Sequence, residues 1–378
     1  MAEPSGAAGS GPSNELLLGE SWIESLSPWP EEFGLGRMRA LLEALGNPQR
    51  AFRAVHVVGT NGKSTATRTV EAFLAREGLR VGTYLSPHVT GWSERIRIDG
   101  READFEAAIA RVRQQAETVG ATQFEALTAA AFALFAEEGV DAAAVEAGLG
   151  GRLDATNVLE APVCLLTNVA LEHTEVLGET REVIAGEKLA VVRPGATAVL
   201  ADLEFARLVP QARVVVGGAR EAAAAFVGRP LEGEVEVRLP GRFELRGRRP
   251  LEIWDGAHNP AGIEHLLQQL PRRRWVVVAS FLGGRDLDAM LGPLARIGEP
   301  LVATRSTHPK ALAAEEVAER AAAHFGDVAV EPDPHTALER ARELAGSDGA
   351  VLVTGSLYLL AALSVRTERV PCRGLASA

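Results

Sequence analysis

Short runs of β-branched and apolar residues alternate along the chain with longer stretches whose apolar positions recur at helical spacing. RAVHVVG (53–59) reads as a buried strand, and KSTATRTVEAFLAREG (63–78) as the helix that follows it, ended by Gly78. LRVGTYL (79–85) is a second strand. ADFEAAIARVRQQAETVG and QFEALTAAAFALFAEEG then read as two helices, the second apolar enough to be largely buried. VDAAAVEAG and APVCLLTNVA are strands, TREVIAGEKLAVVRPG is a helix, and ATAVLAD and RVVVGG are strands again. Such alternation predicts a mostly parallel sheet covered by helices.

A second unit begins near Val235. FELRG and PLEIWDG pattern as a hairpin, followed by helices over 260–270, 286–297, 311–325 and 334–346, with the strands RWVVVAS, PLVATRS, DVAVEP and AVLVTGS between and after them, and a last helix. This is a smaller, Rossmann-like α/β sheet. The join falls around 217–240, where the pattern fades into Gly, Pro and Glu. The expected division is a flexible tail at 1–20, a nucleotide-binding α/β domain at 21–234 and a C-terminal α/β domain at 235–378. At roughly 100–200 residues per domain the length suits two.

Composition narrows the field. The chain is 47% hydrophobic and 24% charged, with a net charge of −11, which argues against a general binder of nucleic acid or acidic membranes. No apolar run of about 18 residues predicts a membrane span, and the N-terminal MAEPSGAAGSGPSN lacks the basic start and apolar core of a signal peptide. The two cysteines, Cys164 and Cys372, make no disulfide framework, and Cys164 sits in an apolar run as a core thiol would. A cytoplasmic protein is expected. Of 39 basic residues only Lys63, Lys188 and Lys310 are lysine.

AVHVVGTNGKSTATRT (54–69) carries the first chemistry. The common phosphate loop is G-x-x-x-x-G-K-[ST], but counting back from Gly62-Lys63 puts Val57 where its first glycine belongs; the glycine is Gly59. Gly59, Thr60, Asn61 and Gly62 can still wrap backbone N–H groups around a phosphate at a helix N-terminus, with Lys63 on the β- and γ-phosphates and Ser64 or Thr65 offering a hydroxyl to phosphate or Mg²⁺. This makes the first domain P-loop-type. In VEAGLGGRLDATN, Glu146 ends a buried strand, where a carboxylate can hold a cation against a triphosphate. Alone it also reads as a helix cap or surface acid. His173, in NVALEHTEVLGET, reads as a residue at the end of the next strand; a single His is more often structural than a ligand. Ser86, in TYLSPHVTGWSERI, is a hydroxyl ligand or simply part of a Ser-Pro turn.

Taken in order, FGLGRMRALLEALGNPQ, HVVGTNGKST, SPHVTGWSERIRIDG, EAGLGGRLDATN, EHTEVLGETREVIAGEK, LPGRFE, DGAHNP and VLVTGSLYLL resemble the dihydrofolate synthase/folylpolyglutamate synthase family of the Mur ligase superfamily, over roughly residues 30–365. The superfamily uses the short G-T-x-G-K loop. The resemblance implies an ATP-dependent amide ligase that phosphorylates a pteroate or folate carboxylate and lets the nitrogen of L-glutamate displace phosphate. It implies Ser86, Glu146 and His173 holding two Mg²⁺ ions, with Lys63, Lys188 and His173 catalytic. It implies Arg242, Asp255 and His258 of the second domain at the nucleotide, Asp255 at the ribose. It also implies pteroate or folate near Phe33, Thr122, Phe124, Glu125, Leu153, Asp154 and Ala155, a flat pterin suiting Phe124. Lys188 is expected to be carbamylated. A buried amine can lose its proton and react with CO₂, whereas Arg stays charged. A monomer working on small molecules is expected.

The chain departs from the family's pattern at Glu172-His173, where Asp-His is usual, and at Glu187-Lys188-Leu189-Ala190-Val191, where Glu-Lys-Ala-Gly-Ile is usual. The join between Val216 and Pro240 carries no Gln/Pro-x-Asn-Ala helix, whose Asn helps to bind the nucleotide in the family. Two other readings remain: a peptidoglycan-type Mur ligase, for which the 58 residues before Gly59 are few, and a non-catalytic paralogue that only binds nucleotide or folate.

Overall fold

The structure, a computed structural model, describes residues 18–364. Among these the chain divides into two compact units: residues up to Pro87 with Trp92–Val235, and His88–Gly91 with those from Glu236 onward. The four residues His88–Gly91 therefore group with the second unit, although they stand within the first in sequence.

The first unit opens with helices α1 (Leu18–Ser25) and α2 (Gly36–Ala44), then β1 (Arg53–Val58), α3 (Lys63–Arg76) and β2 (Val81–Tyr84). The antiparallel strands β3 (Ile96–Ile98) and β4 (Arg101–Glu102) lead into α4 (Phe105–Ala110), α5 (Arg113–Val119) and α6 (Gln123–Glu137). Then follow β5 (Ala142–Glu146), β6 (Val163–Leu166), α7 (Thr174–Leu177), α8 (Arg181–Leu189), β7 (Thr197–Leu200), β8 (Arg213–Val216) and α9 (Ala219–Val227). The strands form one sheet in the order β4-β3-β2-β5-β1-β6-β7-β8, parallel from β2 to β8. Every residue of β5 and β6 is buried, and all of β1 but Arg53. Alternate side chains feed two cores, as expected of a parallel sheet covered on both faces. Val55, Val57, Ala142 and Ala144 pack with α3 and α9, while Ala54, Val58, Ala143 and Val145 pack with α2 and α6.

Three expectations need correction. The expected tail at 1–20 lies outside the described residues up to 17, but residues 18–20 already belong to α1. That helix is drawn into the core by Trp22 and Ile23, and the Glu106 carboxylate accepts from the Gly19 and Glu20 N–H groups at 2.8 and 3.3 Å, satisfying helix-start donors. The single helix read at 103–120 is broken between α4 and α5. The fading pattern at 217–240 conceals α9: Ala222, Ala223 and Phe226 pack under Val70, Phe73 and Leu74 of α3, and Arg53 lies 4.6 Å over the Phe226 ring. Small side chains give little contrast between faces, so the helical period was weak there.

The second unit holds β9 (Glu244–Arg248), β10 (Leu251–Trp254), α10 (Pro260–Gln269), β11 (Val276–Ala279), α11 (Asp288–Ala295), β12 (Leu301–Ala303), α12 (Ala314–Ala321), β13 (Val328–Val330), α13 (Pro334–Ala345), β14 (Ala350–Thr354) and α14 (Leu357–Ser364). Its sheet runs β13-β12-β11-β14-β10-β9, parallel except for the antiparallel edge strand β9. The expected hairpin and the βα alternation are both present. Cys164 is a buried free thiol, and among the described residues no helix is long and apolar enough to cross a membrane.

If α1 is part of the core, Ile23→Ala should cost about 2–5 kcal/mol, the usual range for truncating a buried Ile. Denaturant unfolding at unchanged slope measures it; an unmoved midpoint would place Ile23 outside the core.

Candidate active site

The loop after β1 is held open by its neighbours. Gly59 has φ +150°, and a Cβ there would stand 1.9 Å from the Thr167 hydroxyl, so no larger residue fits. Gly62, at φ +76°, turns the chain into α3. The segment after β6 latches the loop. The Thr60 N–H donates to the Asn168 carbonyl at 3.0 Å and the Asn61 N–H to Asn168 Oδ1 at 2.9 Å. The Asn61 carbonyl receives Asn168 Nδ2 at 3.0 Å and Thr167 Oγ1 at 2.7 Å. Lys63 Nζ points back to the Thr60 carbonyl at 3.3 Å. Thr167 and Asn168 were not singled out in the sequence. The signal was their place at the end of the strand next to β1, where a parallel pairing brings both loops to the same edge.

Glu146 ends β5 on the strand face shared with Ala142 and Ala144, which is the face α3 covers. Its carboxylate is 1% exposed, accepts from the Ser64 hydroxyl at 3.1 Å through Oε1, and from the Ser86 backbone N–H at 3.2 Å through Oε2. Three of the expected residues are thus brought together: Ser64, Ser86 and Glu146. His173 does not stand at a strand end; β6 stops at Leu166, and His173 opens α7 after an intervening loop, with φ +51°. Its ring lies 4.0 Å from Glu172 and 3.8 Å from Glu175. Among the described residues no three His, Cys, Asp or Glu side chains are gathered as a metal cage. Mg²⁺ needs none: it commonly takes one or two carboxylates and fills its shell with water and phosphate oxygens. A buried carboxylate beside a serine hydroxyl at the mouth of a phosphate loop fits that ion.

Lys188 is not a surface lysine. It lies on the inner side of α8, 5% exposed, and its ammonium donates to the Gly59 carbonyl at 2.8 Å. Burial, with the nearby positive charge of Lys63, pushes its pKa down to about 7, while Glu172 and Asp154 pull the other way.

The glycine-rich segment 148–154 runs between α6 and α8. A Cβ on Gly151 would meet the Lys188 and Glu187 carbonyls at 2.5 and 2.7 Å, and the Arg152 N–H bonds the Glu187 carbonyl at 2.9 Å. Phe124 lies against Gly148 and 6.0 Å from the Tyr84 ring, half-buried. Thr122 and Glu125, both buried, form a capping box at the start of α6; the Glu125 carboxylate accepts from the Thr122 N–H at 2.8 Å and from Arg37 at 3.2 Å. Asp154 is buried and accepts from the Leu149 N–H at 2.8 Å and the Thr156 N–H at 3.0 Å, and burial raises its pKa. Ala155 is in the core, while Leu153 and Phe33 are exposed, Phe33 edge-on to Trp29 at 6.3 Å.

In the second unit Asp255 follows β10. Its carboxylate accepts from the Phe243 N–H at 2.7 Å and the Ala257 N–H at 2.8 Å, and its pKa is raised by burial. Arg242 Nη1 donates to the Gly241 carbonyl at 3.2 Å, and His258 Nδ1 lies 2.7 Å from the Gly256 carbonyl.

Comparison with known proteins fits this geometry. Residues 241–357 match the family described as Mur ligase, glutamate ligase domain. The dihydrofolate synthase/folylpolyglutamate synthase of Mycobacterium tuberculosis is 32% identical, over 82% of this chain and 81% of that protein. The chain belongs to the dihydrofolate synthase/folylpolyglutamate synthase family. The solved Mycobacterium tuberculosis folylpolyglutamate synthase complexed with ADP is similar at a TM-score of 0.86 and 29% identity, covering 94% of this chain and 99% of that one. A bifunctional folylpolyglutamate synthase/dihydrofolate synthase with Mn, AMPPNP and L-glutamate bound is similar at 0.82 and 28% identity, covering 93% and 98%. The two-sheet architecture is the one these solved relatives share.

The lysine environment is directly measurable, because the chain has only three lysines. In protein labelled with [ε-¹³C]lysine and held free of CO₂, one resonance should titrate with a midpoint near 7 and disappear in Lys188→Met. Since this pKa is depressed below the unfolded value, Lys188 makes stability rise as pH climbs from about 7 toward the ordinary lysine range, and Lys188→Met should flatten that slope. Three resonances all titrating in the ordinary lysine range would contradict the assignment.

Proposed function

We propose that this chain is an ATP-dependent ligase that joins L-glutamate to the carboxylate of dihydropteroate, of a folate, or of both, by way of an acyl phosphate. The observation that carries the reading is the phosphate loop opening α3 beside the buried Glu146 carboxylate, in a chain of this family.

The chemistry explains the parts. A carboxylate is a poor acyl donor because oxide is a poor leaving group; transfer of the terminal phosphoryl of ATP makes the departing group phosphate, which the glutamate nitrogen then displaces. With the Thr60 and Asn61 N–H groups held by Asn168, the N–H groups of Gly62, Lys63 and Ser64 at the start of α3 are the anion cradle. Lys63 is placed to swing from the Thr60 carbonyl to the β- and γ-phosphates. Glu146, with the hydroxyls of Ser64 and Ser86, would hold Mg²⁺, which supplies positive charge against the phosphates. His173, a short loop beyond the phosphate-loop latch, is proposed as a further metal contact. Arg242, Asp255 and His258 are proposed to contact nucleotide, and Phe33, Phe124 and Leu153 the pterin and its linker.

Lys188 is proposed to become a carbamate. Its depressed pKa leaves a fraction of the side chain as free amine at neutral pH, the form that adds CO₂. The product is an anion in place of a cation beside the loop. Lys188→Arg should then keep the fold and lose most activity, and short-chain carboxylates should partly restore Lys188→Ala. A fully active Arg variant would overturn the carbamate.

The function itself is tested with purified protein, ATP, Mg²⁺ and L-glutamate, offered dihydropteroate or tetrahydrofolate, with products read by mass. Glutamylated product from at least one acceptor is expected; ATP binding without product from either would leave a binding protein. Glu146→Gln should lower turnover about 100-fold or more, the scale of a lost charge-stabilising group. Wild-type turnover in that variant at ordinary Mg²⁺ would remove Glu146 from the metal site.

A further inference from the structure

His56 lies in the middle of β1, the central strand of the first sheet, where an aliphatic residue would satisfy every packing demand. It is 0% exposed and points to the face opposite α3, among Ala54, Val58 and the α2–α6 core. Burial, with Arg193 nearby, pushes its pKa down to about 3, so the ring is neutral. Its Nδ1 is buried without a hydrogen-bond partner. A neutral polar ring in an apolar core, half of it unsatisfied, costs stability. Its one side-chain partner is the Thr156 hydroxyl, 2.8 Å from Nε2.

That hydroxyl has a second partner, Oδ1 of Asp154. A threonine has one proton to give. Asp154 Oδ1 already accepts the Thr156 N–H, so this oxygen is the acceptor and the Thr156 hydroxyl donates to it; the bond to His56 then runs from Nε2–H to the Thr156 oxygen. The tautomer follows: Nε2 carries the proton and Nδ1 is bare. A bare acceptor is the milder of the two possible orphans. The other carboxylate oxygen of Asp154 accepts from the Leu149 N–H at 2.8 Å, so one side chain ties together the two ends of the glycine-rich segment. Tyr84 and Lys188 also face Asp154.

We propose that His56 is a positioning residue: it directs the Thr156 hydroxyl at Asp154, and Asp154 so oriented sets the shape of segment 148–154 for the pteroate or folate. The inference rests on the reading that this segment borders the acceptor substrate. His56 touches neither substrate nor phosphate loop; it acts through two side chains, from inside the sheet.

The test compares His56→Phe, His56→Gln and Thr156→Val in the full chain. Glutamine can place an amide N–H where Nε2–H stands; phenylalanine fills the space and donates nothing. In His56→Phe and Thr156→Val, KM for the pterin acceptor should rise about tenfold, the scale of losing one buried hydrogen bond, while KM for ATP moves less than about twofold. His56→Gln should return the acceptor KM to near wild type. Hydrogen exchange of peptides spanning 147–157 should quicken in Phe and Val variants and not in Gln. Thr156→Val, nearly isosteric, carries the test if His56→Phe does not fold. Parallel rises in both KM values, a Gln variant no better than Phe, or unchanged exchange would each overturn the positioning role. If the wild type glutamylates neither acceptor, the functional reading fails, and the exchange pattern alone decides the relay.

Discussion

A parallel strand covered on both faces can place a polar side chain at little cost only at its ends, and in the first unit that constraint arranges everything else. β1, β5 and β6 are apolar almost throughout. The residues of the candidate site come from where the strands stop: the glycine loop after β1, Ser86 after β2, Glu146 closing β5, Thr167 and Asn168 after β6. Because these strands are parallel, their last residues share one edge, and side chains far apart in sequence meet there without any long-range signal in the pattern. His56 is the exception that costs most, and its cost is the reason to look for a role.

Burial at that edge also explains the electrostatics. Glu146, Lys188 and Asp154 are ionisable groups removed from water, and each is met by backbone: Glu146 by the Ser86 N–H, Lys188 by the Gly59 carbonyl, Asp154 by the Leu149 and Thr156 N–H groups. Such bonds offset desolvation and brace the loops at the same time. A site built this way is oriented before any ligand arrives, which is where charge-stabilising groups gain most of their effect. The depressed pKa of Lys188 belongs to the same account: one carbonyl does not replace the hydration of an ammonium, so the neutral amine competes.

Much of this was legible in the sequence. The strand–loop–helix of 53–76 stood out because a run of valines, two glycines and a helix-opening Lys-Ser-Thr each demand a specific conformation. The hairpin of β9 and β10 and the alternation after it were equally plain. Others were hidden for physical reasons. α9 is mostly alanine, whose small side chains mark no face. α1 depends on a carboxylate of α4 at its first turn and a core formed by later helices, neither visible from its own residues. The family resemblance placed Thr122 and Glu125 near the pteroate or folate; the structure adds that their side chains close the cap of α6, a contact their own three-residue spacing does not separate from ligand binding.

The sequence by itself determined the fold class, the phosphate loop and the family, because these rest on local conformation and on the order of short motifs. Only the tertiary structure decided that Lys188 is buried on the Gly59 carbonyl, that Asn168 latches the loop, and that His56 reaches Asp154 through Thr156. Those contacts join residues brought together by strand register and helix packing. A hydrogen bond depends on tenths of an ångström that no residue pattern encodes.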